Sequence, residues 1–206
     1  MEDVFLAIYE GNQWGSPESR SGPGSTVARA ADFLPDLVTL LQTLNTRVLV
    51  DAPCGDFNWA GAVAMAVEEY IGIDVVREIV ARNQLIASSP NAVFLHRDLT
   101  RDPLPIADVV LCRDCLVHFS LSDIWRALNN FKQSGSSYLL TTTFVGHDDN
   151  PDIATGEWRP LNLERPPFCF PPPRAVVDER CLHSGGVFRD KRLGLWHLAD
   201  LPSNDD

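Results

Sequence analysis

The feature that most constrains this chain is a run from Arg47 to Thr143 in which short, β-branched apolar segments alternate with helix-like ones. Arg47-Val-Leu-Val-Asp51 predicts a strand, and the small-residue-rich stretch Phe57–Val67 after it a helix. Glu69-Tyr-Ile-Gly-Ile-Asp74 repeats the plan, followed by a helix over about 75–87 with apolar Val76, Ile79, Val80 and Leu85. Ala92–His96 predicts a third strand. Ala107–Arg113 predicts a fourth, its nearly unbroken apolar run suiting a strand covered on both faces. Ser120 then predicts a helix cap with Asp123 reaching back, Ile124, Leu128 and Phe131 supply an apolar stripe, and Gly135 ends the helix. Ser137–Thr143 predicts a fifth strand. Strands and helices alternating at this spacing imply βαβ units with right-handed crossovers, hence a parallel sheet in an α/β fold.

A chain of 206 residues suits one domain, with length enough to bury roughly 70% of its unfolded surface without disulfides or metals. Three parts are expected within it. Residues 1–45 form a helical segment able to act as a lid, with one or two helices over 26–44 broken at Pro35. Residues 46–145 form the alternating core. Residues 146–206 hold a long functional loop, Gly146–Pro173, and a last strand over Lys191–Leu198.

Seventeen Lys and Arg against 28 Asp and Glu leave a net charge of −11, which argues against a nucleic-acid partner because phosphate neutralisation needs a basic stripe. The opening Met-Glu-Asp-Val lacks a basic, apolar leader, and no apolar run approaches the roughly 18 residues that span a bilayer, so a cytoplasmic protein without membrane contact is expected. The five cysteines, Cys54, Cys112, Cys115, Cys169 and Cys181, are odd in number and are expected to be reduced. A monomer and a homodimer are both compatible with the sequence.

In an open parallel sheet, ligands bind beyond the carboxyl ends of the strands. Asp51, Asp74, Asp98, the Arg113-Asp114 pair with His118, and Thr141–Thr143 all fall at such ends. Taken in order, Val48-Leu-Val-Asp-Ala-Pro-Cys-Gly55, Tyr70-Ile-Gly-Ile-Asp74, His96-Arg-Asp98 and Asp108-Val-Val-Leu-Cys-Arg-Asp-Cys-Leu-Val-His118 resemble the motif series of class I S-adenosylmethionine-dependent methyltransferases, over roughly residues 25–145. The resemblance implies a single Rossmann-like domain with a seven-stranded, mostly parallel sheet, an antiparallel last hairpin and S-adenosylmethionine as cofactor. It implies that Asp51 and Gly55 form the first motif, with Pro53 in its first glycine position; Gly55 would admit close backbone approach and the next helix would offer free amides to a carboxylate. Asp74 would accept the two ribose hydroxyls. Asp98 and Leu99 would lie at the adenine, and Arg113 or Asp114 at the methionine end.

The segments Trp14–Ser25, Asp51–Trp59, Cys112–His118 and Asn150–Leu163 are also similar to bacterial methyltransferases associated with saccharide or small-molecule modification. That likeness implies transfer to an oxygen or nitrogen of a small polar acceptor. Trp14 is then a candidate cofactor contact, and Asn58, Trp59, His147, Trp158 and Arg159 are candidates for the acceptor side.

Methyl transfer to such an acceptor needs positioning and a proton sink. His118 has the right ordinary pKa for the base, with Asp114 to orient it, or it packs at the next helix. Cys112-x-x-Cys115 reads as a packed strand end or half of a zinc site. His147, Asp148 and Asp149 read as a solvated acidic loop or as oxygen ligands for a divalent metal, and no metal is assigned. Trp14, Arg20 and Trp158 either cover the cleft or anchor packing. Two other functions compete: a catalytically silent domain that binds S-adenosylmethionine, and a nicotinamide-dependent oxidoreductase, which would want the Gly-x-Gly-x-x-Gly that Ala52–Phe57 lacks.

Overall fold

In the computed structural model, which describes residues 1–87, 89–182 and 184–203, the alternating run forms one seven-stranded sheet. In chain order the elements are α1 (Glu2–Glu10), α2 (Val27–Ala30), α3 (Leu34–Thr43), β1 (Val48–Asp51), α4 (Gly61–Ala64), β2 (Glu69–Asp74), α5 (Arg77–Ile86), β3 (Ala92–His96), β4 (Val109–Cys112), α6 (Leu121–Gln133), β5 (Tyr138–Phe144), β6 (Ala175–Asp178) and β7 (Lys191–His197). The strand order is β3-β2-β1-β4-β5-β7-β6, with β1 to β5 parallel and β7 antiparallel to both β5 and β6. The α/β, mostly parallel architecture is therefore present, and its order reverses between β1 and β4.

Alternation along each strand sorts the apolar side chains onto two faces. Val50, Ile71, Ile73, Val110 and Leu139 pack with Ile124, Leu128 and Phe131 of α6 and with Leu161, Leu163, Phe168 and Phe170 of the long loop. Leu49, Tyr70, Val109, Leu111 and Leu140 face the other way, against Leu37 and Leu41 of α3, Val63 of α4 and Val80 of α5. Both faces are thus covered, as the continuous apolar runs require. The segment from Gly146 to Arg174 has no helix or strand, but its apolar side chains complete the first of these cores. No helix among the described residues is long and apolar enough to cross a membrane.

Three local expectations need correction. The helix after β1 is only four residues long, because Gly55 and Phe57 adopt positive φ (52° and 56°) and delay it to Gly61. Pro35 does not break a helix; it sits in the first turn of α3, where its missing N–H costs nothing. Ser120 Oγ does accept the Asp123 N–H, but the Asp123 carboxylate does not reach back. It accepts from Thr155 Oγ1 at 2.5 Å, and that hydroxyl takes the Ser120 N–H at 2.9 Å, so the long loop completes the cap. Two elements had been given no place in the sequence: α1, within the expected helical segment, and β6, the short edge strand of the expected antiparallel hairpin.

Candidate functional site

Beyond the carboxyl ends of β1, β2 and β4 lies a cavity of about 920 Å³, counting the space open to solvent. Its floor is built by strand ends. Asp51 closes β1 and Asp74 closes β2; they are 2% and 6% exposed. The Tyr70 hydroxyl donates to Asp51 Oδ2. Asp74 accepts the Val76 N–H on Oδ1 at 2.9 Å and the Gly55 N–H on Oδ2 at 3.1 Å, so it ties the turn after β1 to the end of β2. Burial pushes Asp51 up to about 7 against the opposing pull of Tyr70 and Arg113, and pushes Asp74 up to about 6 against its amide donors.

A carboxyl whose pKa is higher in the folded chain than in the unfolded one binds its proton more tightly when folded. Its contribution is present below the ordinary carboxylate range and declines as pH rises toward 6–7. The melting temperature of the ligand-free protein is accordingly expected to fall between pH 5 and pH 8. Asp51→Asn, which cannot ionise, should flatten that decline; an unchanged slope in differential scanning calorimetry would remove Asp51 as its source.

The N-terminal segment roofs this cavity. The Asp56 carboxylate accepts from Ser19 Oγ (3.0 Å) and the Arg20 N–H (2.8 Å), while the Asp56 N–H donates to Ser21 Oγ (2.9 Å). Gly55 is required beneath this clasp: its φ is +52°, and a Cβ there would stand 2.2 Å from Ser21 Oγ. Phe5, Tyr9 and Trp14 add an aromatic lining from α1 and the loop after it.

A second cavity, about 1,220 Å³ on the same measure, adjoins the first. Trp14, Ser21, Arg113, Asp114 and His118 line both and so form the wall between them. That wall carries part of a charge network that continues along the second cavity. Arg113 Nη2 and Lys191 Nζ meet Glu179 Oε2 at 2.6 and 3.0 Å, and Lys191 Nζ meets Asp114 Oδ2 at 2.6 Å, with Arg113 Nη1 at 3.4 Å from the same oxygen. Arg113 also donates to the Gly24 carbonyl and lies 4.5 Å over the Phe33 ring. Burial opposes charge on Asp114, but Lys191 and Arg113 overcome it and hold the carboxyl below the usual carboxylate range. Burial likewise opposes the Arg113 charge, and Glu179 and Asp114 more than restore it.

His118 ends a 3-10 turn, Leu116–His118, and is oriented by a backbone group rather than by Asp114. Its Nδ1 lies 2.8 Å from the Glu157 carbonyl, which assigns the proton to Nδ1 and leaves Nε2 as an acceptor. Burial depresses its pKa, against the pull of that bond and of the Asp114 charge. The ring is therefore neutral at pH 7, with Trp14 at 5.1 Å.

The structure brings together Asp51, Pro53, Gly55, Asp74, Leu99, Arg113, Asp114, His118, Trp14 and Trp59 around the first cavity. Trp59, an acceptor-side candidate, meets Phe33 edge to face at 5.3 Å and lines the first cavity, not the second. Trp158 lines the second cavity.

Four candidates line neither. Asp98 is turned into its own loop, accepting from the Thr100 N–H and hydroxyl at 2.9 and 2.6 Å. Asn58 donates to Glu18 and the Ser25 carbonyl. The Arg159 guanidinium is spent on the carbonyls of Pro151, Leu116, Val117 and Phe119 and so fixes the turn that carries His118. His147 lies 3.7 Å from Asp190, and Asp148 pairs with Arg165. Among the described residues no group of three or more His, Cys, Asp or Glu side chains stands ready to hold a metal. Cys112 and Cys115 are free, buried thiols. Sequence reasoning missed Lys191, Glu179 and Phe188, whose neighbours are distant in the chain, and Asp56, whose partners lie in the N-terminal loop.

Neither a protein-family model nor a curated protein matches this chain in sequence. Solved structures do match in shape. They include magnesium protoporphyrin IX methyltransferase (ChlM) from Synechocystis PCC 6803 with bound S-adenosylmethionine, which is 16% identical over 76% of this chain and 78% of its own, with a TM-score of 0.52. N-methyltransferase NodS from Bradyrhizobium japonicum WM9, in complex with S-adenosyl-L-homocysteine, is 14% identical over 69% and 74%, with a TM-score of 0.52. The cyclase SpnF is 20% identical over 80% and 67%, with a TM-score of 0.53. The chain has the class I methyltransferase fold. In this chain Gly55, in the turn after β1, and Asp74, at the end of β2, line one cavity.

Proposed function

We propose that this protein is an S-adenosylmethionine-dependent methyltransferase acting on an oxygen or nitrogen of a small polar acceptor. The observation that carries the reading is the pair of buried carboxylates, Asp51 and Asp74, lining a cavity that shares a wall bearing a neutral histidine with a second cavity. When bound, S-adenosylmethionine supplies an electrophilic methyl group on a cationic sulfonium. The residues present fit it. Two buried acids whose pKa values are pushed upward are short of donors, and this cofactor brings hydroxyls, an ammonium and a positive sulfur.

Asp74, already fixed by two amides, is placed to accept the ribose hydroxyls. Val75, Val76, Ile79 and Leu99 give the same cavity an apolar side suited to a flat base. His118 Nε2 is the group on the shared wall that can take the acceptor's proton. The ionised Asp114 beside it favours the imidazolium so formed, although it does not orient the ring. The N-terminal roof, clasped to Asp56, limits the access of water to the first cavity. The net charge of −11 accords with a small-molecule acceptor rather than a polyanion.

The test is calorimetric titration with S-adenosylhomocysteine. Binding is expected for the natural sequence. Asp74→Ala removes a carboxylate that accepts charge-assisted bonds worth about 1.5–3 kcal/mol each, and should weaken affinity by at least about tenfold. Equal affinity in the variant would overturn the assignment of Asp74, and absence of binding in the natural protein would overturn the function.

A further inference from the structure

We infer that the second cavity takes a planar aromatic acceptor through its phenolic hydroxyl, an inference that rests on the methyl-transfer reading above. Three observations converge on it. One wall is a cluster of rings: Phe144, Trp158 and Phe188 lie 5.3–6.1 Å apart at near-perpendicular angles, and Trp158 remains 43% exposed. An indole left open at the edge of an aromatic cluster offers a face for a flat ring.

The charges that line the cavity cancel. Arg29, Arg113 and Lys191 are matched by Asp32, Asp114 and Glu179, and the inner four are tied to one another. Such a site favours a neutral ground state over a polyanion. The third observation is the base. Among the cavity's lining residues, His118 is the one uncharged proton acceptor with a free ring nitrogen, since its Nδ1 is bound to Glu157.

A neutral imidazole takes a proton from a phenol, of pKa about 10, at a far smaller deficit than from an alkyl alcohol, whose acidity lies near that of water at about 15.7. In the step, the phenolic O–H bond breaks and its proton passes to His118 Nε2. An oxygen lone pair forms the bond to the methyl carbon. The carbon–sulfur bond breaks with its electron pair going to sulfur, so the sulfonium charge is lost as the imidazolium charge appears.

The test uses the full chain saturated with S-adenosylhomocysteine and three probes, 4-hydroxybenzamide, its cyclohexane-ring analogue and methyl glucoside, with affinity read by ligand-observed NMR. The phenol is expected to bind about tenfold more tightly than either other probe. Trp158→Ala should remove most of that preference while leaving affinity for S-adenosylhomocysteine within about twofold, which also shows that the variant is folded. Glucoside binding equal to or tighter than that of the phenol, or a phenol preference untouched by Trp158→Ala, would overturn the inference while the methyl-transfer reading stands. Failure of S-adenosylhomocysteine to bind the natural protein would overturn both.

Discussion

Replacing His118 by alanine should lower the methyl-transfer rate by about 10²–10⁴-fold, the usual yield of a positioned general base. The argument is geometric before it is electrostatic. Nδ1 is committed to the Glu157 carbonyl at 2.8 Å, so Nε2 is the basic atom, and the ring forms part of the wall between the two cavities. Burial depresses the pKa, so the basic form predominates at neutral pH. The rate of the natural enzyme should therefore fall as pH drops through a value below that of an ordinary histidine, as the imidazolium forms. The alanine variant should lack that acid limb. Both are measured with the best acceptor from a mixed phenol, amine and glycoside panel. Turnover equal to that of the natural enzyme would remove His118 from the chemistry, and retention of the limb in the variant would assign it to another group.

The second large effect is on stability. Glu179→Ala leaves Arg113 and Lys191, 7% and 6% exposed, with only one of the two carboxylates that join them, Asp114. Breaking a buried pair in this way typically costs about 3–5 kcal/mol. For a chain of this size each kcal/mol moves the melting temperature by roughly 2–4 °C, so a drop of about 6–20 °C is expected by scanning calorimetry. The control is Glu68→Ala, which breaks an ion pair between side chains that are 65% and 73% exposed and should cost less than about 1 kcal/mol. If the two variants melt together, the buried network contributes no more than a surface pair does.

The sheet was readable from the sequence because each parallel strand is covered on both faces and so carries its apolar run in consecutive residues, as Val109–Cys112 does. The same logic places the acids at strand ends, and Asp51 and Asp74 there line the first cavity. Asp98 also follows its strand but does not line the cavity, because a local interaction competes. Thr100, two residues on, offers both an amide and a hydroxyl, and the carboxylate turns to them. Arg159 was readable as a polar residue in a functional loop, but its donors match the bare carbonyls of the turn before α6 and are used there. The network around Arg113 was not readable. Its partners Glu179 and Lys191 are positioned by the antiparallel pairing of β6 and β7, and no local pattern announces which charge will stand opposite which.

That network also dates the moment at which the nascent chain can settle. Arg113 leaves the ribosome 66 residues before Glu179, and Asp114 leaves 77 residues before Lys191. At about 5–20 residues per second, several seconds pass in which Arg113 and Asp114 have each other but neither Glu179 nor Lys191. β6 and β7, made after the parallel strands, are therefore the ones that complete the buried charge network at the middle of the molecule.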